Sequence, residues 1–323
     1  MSSRPEITKT NAPAAISNPA AGQSSHSGRI EWALLILPGM IWGASYLFIA
    51  EGLEAFAPDG ITFARFVIGF VTLSLVPGAR RPVLKRDRAG IAALGVLWLA
   101  FPMSMFPHAE QHVSSALTGM LNGALPLIAA GIAAVAARQM PTRTVLAGLA
   151  VGLAGAVTMA LPGLDAGGNS ARGVLLVLAA IASYGVAINV ARPLQQRNGA
   201  LPVVWRAIGV ALILTAPVGL PALLATRWSL RPFLAVLALG FLGTAAAYVI
   251  MATATGRLGP TRASATTFLI PVVALFLGIA IRGERVPAIA IAGAALCLTG
   301  AFLVRQGTAT PPAKSKSQAK SAL

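Results

Sequence analysis

The chain has 323 residues, 56% of them hydrophobic and 11% charged, and its mean hydropathy is +0.76. A soluble domain carries about a quarter charged residues, so this composition excludes an ordinary soluble globule and points to a surface that faces lipid. The formal charge of +16 would suit nucleic acid only as a basic face on a soluble fold. Here the basic residues punctuate apolar runs, and nucleic-acid binding is set aside.

Residues 1–28 are rich in Ser, Ala, Pro and Asn and have no apolar core. They read as a disordered tail, which ends at about residue 31, and no signal-peptide core precedes the first apolar run at Trp32. Ten apolar runs follow, near 32–50, 61–79, 90–107, 113–136, 144–162, 172–192, 202–224, 233–253, 262–281 and 286–304. Each is predicted to be a transmembrane helix, because only a helix satisfies its own backbone inside lipid. Pro, Gly or charge separates the runs, as at Ala57-Pro-Asp-Gly, Arg80-Arg-Pro and Pro162-Gly-Leu-Asp. A polar, basic tail with Lys314, Lys316 and Lys320 occupies 305–323. The lone Cys297 lies inside an apolar run and reads as a packing residue.

Lys and Arg in the short loops set the orientation. With the N-terminus in the cytoplasm, 18 of them fall on the inner side and five on the outer. Both termini are therefore predicted to be cytoplasmic, and the positive charge has the anionic inner leaflet of the bilayer as its partner.

The chain also repeats itself. The segment around Pro126 aligns with that around Pro271, Ile41-Trp42-Gly43-Ala44 matches Ser183-Tyr184-Gly185-Val186, and Arg65 corresponds to Arg206. Each half holds five spans, 32–162 and 172–304, and an odd number forces the second copy to insert upside down. Inverted repeats of this kind characterise many secondary transporters, with the substrate near mid-membrane between the halves.

At Ile41-Trp42-Gly43-Ala44-Ser45, Pro58 with Ala64-Arg65-Phe66, the Pro126 and Pro271 spans and Gly283-Glu284-Arg285, the sequence resembles the EamA-like ten-helix exporters of the drug/metabolite transporter superfamily. The resemblance covers roughly residues 32–304. It implies two inverted five-helix bundles around a central cavity, peripheral fifth and tenth helices, and export of amino acids, metabolites or toxic organic compounds. One departure stands out: where the second half has Glu284, the first has Gln139.

Polar residues inside apolar spans are the candidate site, since an unpartnered polar group in hydrocarbon costs about several kcal/mol. Trp42 and Ser45 share a face of the first span beside Tyr46, and Tyr184 is the repeat counterpart of Trp42. Asn122 precedes Pro126, whose ring removes a helix hydrogen bond and loosens the backbone there. With Asn189 and Tyr248 these six form the expected substrate contacts. Thr118, Thr266 and Thr267 read rather as helix-to-helix hydrogen bonds.

Arg65 and Arg206 lie about five residues inside their spans. Snorkelling to the interface accounts for both, and the alternative is a gate or contact with an anionic group. Glu51, Glu54 and Asp59 cluster at one end as solvated acids, and Glu284 is expected to pair with Arg282 or Arg285. His108-Ala-Glu110-Gln-His112 reads as a solvated turn, with a pH-sensitive gate or a metal site as alternatives. Gly148 and Gly152 form a G-x-x-x-G that suits helix packing or a homodimer contact. No metal or cofactor is implied.

These expectations make the chain an all-α polytopic protein of the cell inner membrane. It is a secondary transporter exporting small organic solutes by alternating access, and not an enzyme. A membrane-embedded enzyme would need convergent acid, base, nucleophile or metal ligands, and a non-transporting scaffold would not need matching polar residues in both halves.

Overall fold

Alanine, leucine, valine and isoleucine dominate every long apolar run, and such runs inside lipid have helix as their available form. The computed structural model describes residues 20–138, 140–165, 168–259 and 263–308. Among them the chain is all-helical. The segments in chain order are α1 (Ala20–Gly52), α2 (Pro58–Ser74), α3 (Lys85–Glu110), α4 (Ser115–Ala137), α5 (Arg143–Asp165), α6 (Gly168–Asn198), α7 (Ala200–Leu224), α8 (Leu230–Leu258), α9 (Ser264–Arg282) and α10 (Ala288–Thr308).

Nine of these segments are long and apolar enough to cross a membrane, so the protein is a multi-pass membrane protein. The exception is α2. Its 17 residues rise only about 25 Å, against a hydrocarbon core of about 30 Å. The expected second span, 61–79, is therefore corrected: Pro58 starts the helix early, and the chain leaves it at Ser74 for a stretch of turns. A second correction concerns the first tail. Residues 20–31, read from composition as disordered, belong to α1, whereas 1–19, Gln139 and the basic tail from 309 lie outside the described residues.

Four helices carry irregular turns in matching places. A π-helical stretch runs over Gly95–Ala100 in α3 and another over Phe241–Ala246 in α8. A 3-10 turn, Asn122–Ala124, interrupts α4 just before Pro126, and a second, Ser264–Phe268, opens α9 before Pro271. Such turns leave the regular α-helical bonding pattern and free backbone groups for other partners.

Helix pairing follows a regular rule. The helix α1 packs on α8 and α9, as α6 packs on α3 and α4; α2 packs on α7 and α8, and α7 on α2 and α3. The most extensive pair is α5 with α10. Glycines allow these contacts. A Cβ on Gly95 would press into Val210, and one on Gly240 into Ile68. Gly43 meets Val273 of α9, and Gly185 meets Ile128 of α4.

The G-x-x-x-G of α5 is engaged within the chain, where Gly148 and Gly152 face Gly300 and Val304 of α10. Cys297 is fully buried at the same contact, beside Gly155. In lipid, association of helices depends on close packing rather than on expulsion of water. Gly300→Leu should therefore lower the melting temperature of the detergent-solubilised chain, at a cost of about 1–3 kcal/mol. Gly256, which has open space where its Cβ would be, should accept Ala with no change.

Candidate functional site

The π-turn of α8 organises the centre of the bundle. The Trp42 indole N–H of α1 donates to the Gly243 carbonyl at 3.1 Å. A Cβ on Gly243 would lie 2.8 Å from Ser45 Oγ and 3.9 Å from Arg65 Nη2, so the bare glycine leaves a space that both groups border. The Arg65 Nε–H donates to Thr244 Oγ1 at 3.3 Å, and the Thr244 hydroxyl donates in turn to the Leu239 carbonyl. Trp42, Ser45, Arg65 and Tyr248 thus converge on one turn of α8, Tyr248 with its ring edge-on to Trp42 at 5.6 Å.

Arg65 is 4% exposed. It does not snorkel: the side chain turns inward to Thr244, and no carboxylate among the described residues lies within ion-pair distance of it. Tyr46, Tyr184, Tyr248 and Glu110 are the titratable groups within its electrostatic reach. A buried arginine without a counter-ion, in a helix packed among membrane-spanning ones, is a candidate binding group, because its desolvation is costly and a ligand charge would offset that cost. Its repeat counterpart behaves differently. Arg206 is partly exposed, donates to the Pro202 carbonyl and lies over the Trp205 ring at 5.2 Å, which is the snorkelling arrangement.

Two rows of rings flank Arg65. Trp98 of α3 meets Tyr248 edge-on at 5.4 Å, extending the Trp42–Tyr248 pair. Tyr46 meets Phe106 at 5.6 Å, and Phe106 meets Tyr184 at 5.8 Å. Asn122 occupies the 3-10 turn of α4. It is 7% exposed, and its Oδ1 is buried with no hydrogen-bond partner among the described residues. An orphaned buried acceptor is rare in a folded protein and calls for a donor from elsewhere. Asn189 is different. Its amide donates to the Ala129 and Gly185 carbonyls at 3.1 and 2.9 Å, so it ties α6 to α4.

The end of the bundle that holds Glu51 is laced by ion pairs between the two halves. Glu51 meets Arg231 at 2.5 Å and Arg282 at 2.6 Å, and Arg282 reaches Glu54 at 3.2 Å. These acids were expected to be solvated, but Glu51 is 5% exposed. Glu284 pairs with Arg282, as expected, and has further partners. It accepts from the Ser115 and Ala116 backbone N–H groups and the Ser115 hydroxyl, capping α4, and stands 3.9 Å from Arg282. A carboxylate at a helix N-terminus satisfies free N–H groups and complements the helix dipole.

His108 pairs with Asp59 at 3.1 Å, and no group of metal ligands forms among the described residues. At the other end Asp87 accepts from Arg197 at 2.8 Å and from Asn198 at 2.7 Å.

The sequence reading missed Phe106, Trp98, Gly243, Thr244 and Glu110 as neighbours of the site. Trp98 and Phe106 carried a signal as aromatic residues inside an apolar span, and Glu110 as the acid of the segment from His108 to His112. The role of Gly243 depends on a π-turn that no local pattern announces.

The EamA-like transporter family model matches this chain twice, over residues 30–161 and 171–306. The chain belongs to the EamA-like transporter family. One relative, a probable terminal-alkyne amino-acid exporter of Streptantibioticus cattleyicolor, is 29% identical over 283 residues, spanning 86% of this chain and 93% of that protein. The uncharacterized inner membrane transporter YedA of Escherichia coli K12 is 28% identical over 287 residues, 85% of this chain and 90% of YedA. A probable amino-acid metabolite efflux pump of Salmonella typhimurium is 23% identical over 281 residues, 84% and 93% of the two chains. A solved crystal structure shares the fold with a TM-score of 0.59 at 21% identity, covering 86% of this chain and 96% of that one. Family and relatives alike are transporters, not enzymes.

In this EamA-like protein the bond from Trp42 to the Gly243 carbonyl has a mate. The Ser183 hydroxyl of α6 donates to the Leu97 carbonyl, at 2.7 Å, in the π-turn of α3. Trp42→Phe and Ser183→Ala should each lower stability in detergent by about 0.6–1.7 kcal/mol, the range for hydrogen bonds between membrane helices. Thermal unfolding of the two variants checks this.

Proposed function

We propose that this protein is a secondary transporter that exports small organic solutes, amino acids or related metabolites, across the inner membrane by alternating access. The observation that carries the reading is Arg65, a buried guanidinium without a carboxylate partner, held by Thr244 beside Trp42, Ser45, Tyr184 and Tyr248. A carboxylate-bearing solute supplies the missing anion, and the rings supply apolar walls. Asn122, with its free acceptor, takes a donor such as an ammonium or amide N–H. The printed names of two relatives, an amino-acid exporter and an amino-acid metabolite efflux pump, agree with a substrate of this chemistry.

The architecture in this reading is ten helices in two inverted five-helix repeats, 32–162 and 172–304, with both termini cytoplasmic. Four observations support it: two successive matches to one family model, helix pairings that recur on adding five to each number, π-turns in α3 and α8, and 3-10 turns in α4 and α9. The excess of Lys and Arg at the Asp87 end puts that end inside and the Glu51 end outside. The substrate and the lipid bilayer are its partners. A homodimer would use a face other than the α5 glycines, which α10 covers.

The test is uptake of labelled amino acids into proteoliposomes. At least one should enter saturably, Arg65→Gln should reduce that flux by about tenfold or more, as expected for loss of a buried charge contact, and Asn122→Leu should abolish it, with both variants folded. Saturable flux that is unchanged in Arg65→Gln would place the substrate elsewhere.

A further inference from the structure

Among the described side chains five acids gather at the Glu51 end, and four of them have partners. Glu51 is held by Arg231 and Arg282, Glu54 by Arg282, Asp59 by His108, and Glu284 by the first turn of α4. Glu110, the last residue of α3, has none among the described residues. Both its carboxylate oxygens are closed off from solvent, and neither has a hydrogen-bond partner. The residue nevertheless lies in the wall of a cavity of about 380 Å³ shared with Leu53, Glu54, Gln111, Arg282 and Glu284.

The charged and titratable groups that face it are Glu284 and Arg282 beside α9, Arg65 of α2 and Tyr46 of α1. The cation nearest in role, Arg282, is already bound to Glu51 and Glu54. Glu110 thus stands between the ion-paired outer end and the buried Arg65, bonded to neither.

We propose that Glu110 is a proton-binding site that couples proton movement to solute export. A buried carboxylate with no cation or donor beside it is the costly form of the group, and a proton is the ligand that relieves it. Glu110 faces Glu284, and the nearby Arg282 is already bound to Glu51 and Glu54. With its oxygens closed off beside a second acid, Glu110 is relieved by becoming neutral. Glu110 is the acid free to take the proton, because ionisation of Glu51, Glu54 and Glu284 is supported by their bonds. Protonation from the outer cavity therefore favours the closed outer end seen here, and loss of the proton favours its opening. An exporter that must close outward-empty and open outward-loaded can use this sequence to exchange a proton for its solute.

The inference rests on the transport reading only for its coupling arm, and the experiment separates the two. The full chain in nanodiscs, with no solute present, is followed by infrared difference spectroscopy as the pH is changed. A protonated-carboxyl band at neutral pH that vanishes in Glu110→Gln is expected; no band that depends on Glu110 at neutral or mildly acidic pH overturns the proposal, whether or not any amino acid is carried. The chain is then reconstituted with pyranine inside the vesicles and given the labelled amino acids. Proton movement should accompany solute in the wild type, disappear in Glu110→Gln, and return in Glu110→Asp with a shifted pH profile. Solute-driven proton movement that persists in Glu110→Gln also overturns it.

Discussion

A backbone carbonyl that leaves its helical ladder in the middle of a membrane has no water to turn to, so another side chain must reach it. The π-turns of α3 and α8 release such groups, and the bundle is tied together where they are collected. Trp42 of α1 reaches the Gly243 carbonyl of α8, and Ser183 of α6 reaches the Leu97 carbonyl of α3. Each bond joins the first helix of one half to the third helix of the other. The position of α8 against α1 then fixes Tyr248 beside Trp42 and Thr244 beside Arg65. The site is therefore a consequence of helix irregularity, and an ideal α8 would present neither the open carbonyl nor Thr244 at that register.

The two halves share pairing but not charge. Arg65 is drawn into the core while Arg206 stays near the surface over Trp205. Glu284, of the second half only, caps α4 of the first. The helix α4 also divides in its allegiance: before the 3-10 turn at Asn122 it packs along α9, and after it along α6. Asn122 thus stands where the fourth helix leaves the ninth. In the proposed reading this is the mark of one state in an alternating cycle. The Glu51 end is bound across the halves by arginine–carboxylate pairs, while beyond Asn122 the paired helices go different ways.

Much of the fold was legible in the sequence because lipid permits few solutions. Runs of about 20 apolar residues must be helices, and Pro126 and Pro271 mark related spans by a backbone effect that sequence displays. Even the early end of α2 at Ser74 had a local sign in Pro77-Gly78 just beyond it. What was not legible depended on distant partners. Arg65 and Arg206 sit at similar depths in similar spans, and only Thr244, far along the chain, distinguishes them. Asn122 and Asn189 were equally conspicuous, yet one retains an orphaned oxygen and the other is bonded to Ala129. Glu110 lay between two histidines that drew the chemistry to themselves. Among the described acids at that end it lacks a partner because Asp59, Arg282 and Glu284 find others.

A carrier has to bind its solute and also let it go, and the tether on Arg65 suits both needs in the proposed reading. A fixed carboxylate beside Arg65 would neutralise it, and an incoming anion would have to break that pair before binding. Thr244 is neutral, so it orients the guanidinium without cancelling its charge. The cost of burying that charge is then borne by the empty site and relieved when a solute carboxylate arrives, which favours rearrangement of the loaded protein over the empty one. Glu110 lies within electrostatic reach of Arg65 without touching it, so its protonation state biases the bundle without forming a fixed pair that would occupy Arg65. The separation of these two groups, rather than their pairing, is what lets one influence the other without locking the site.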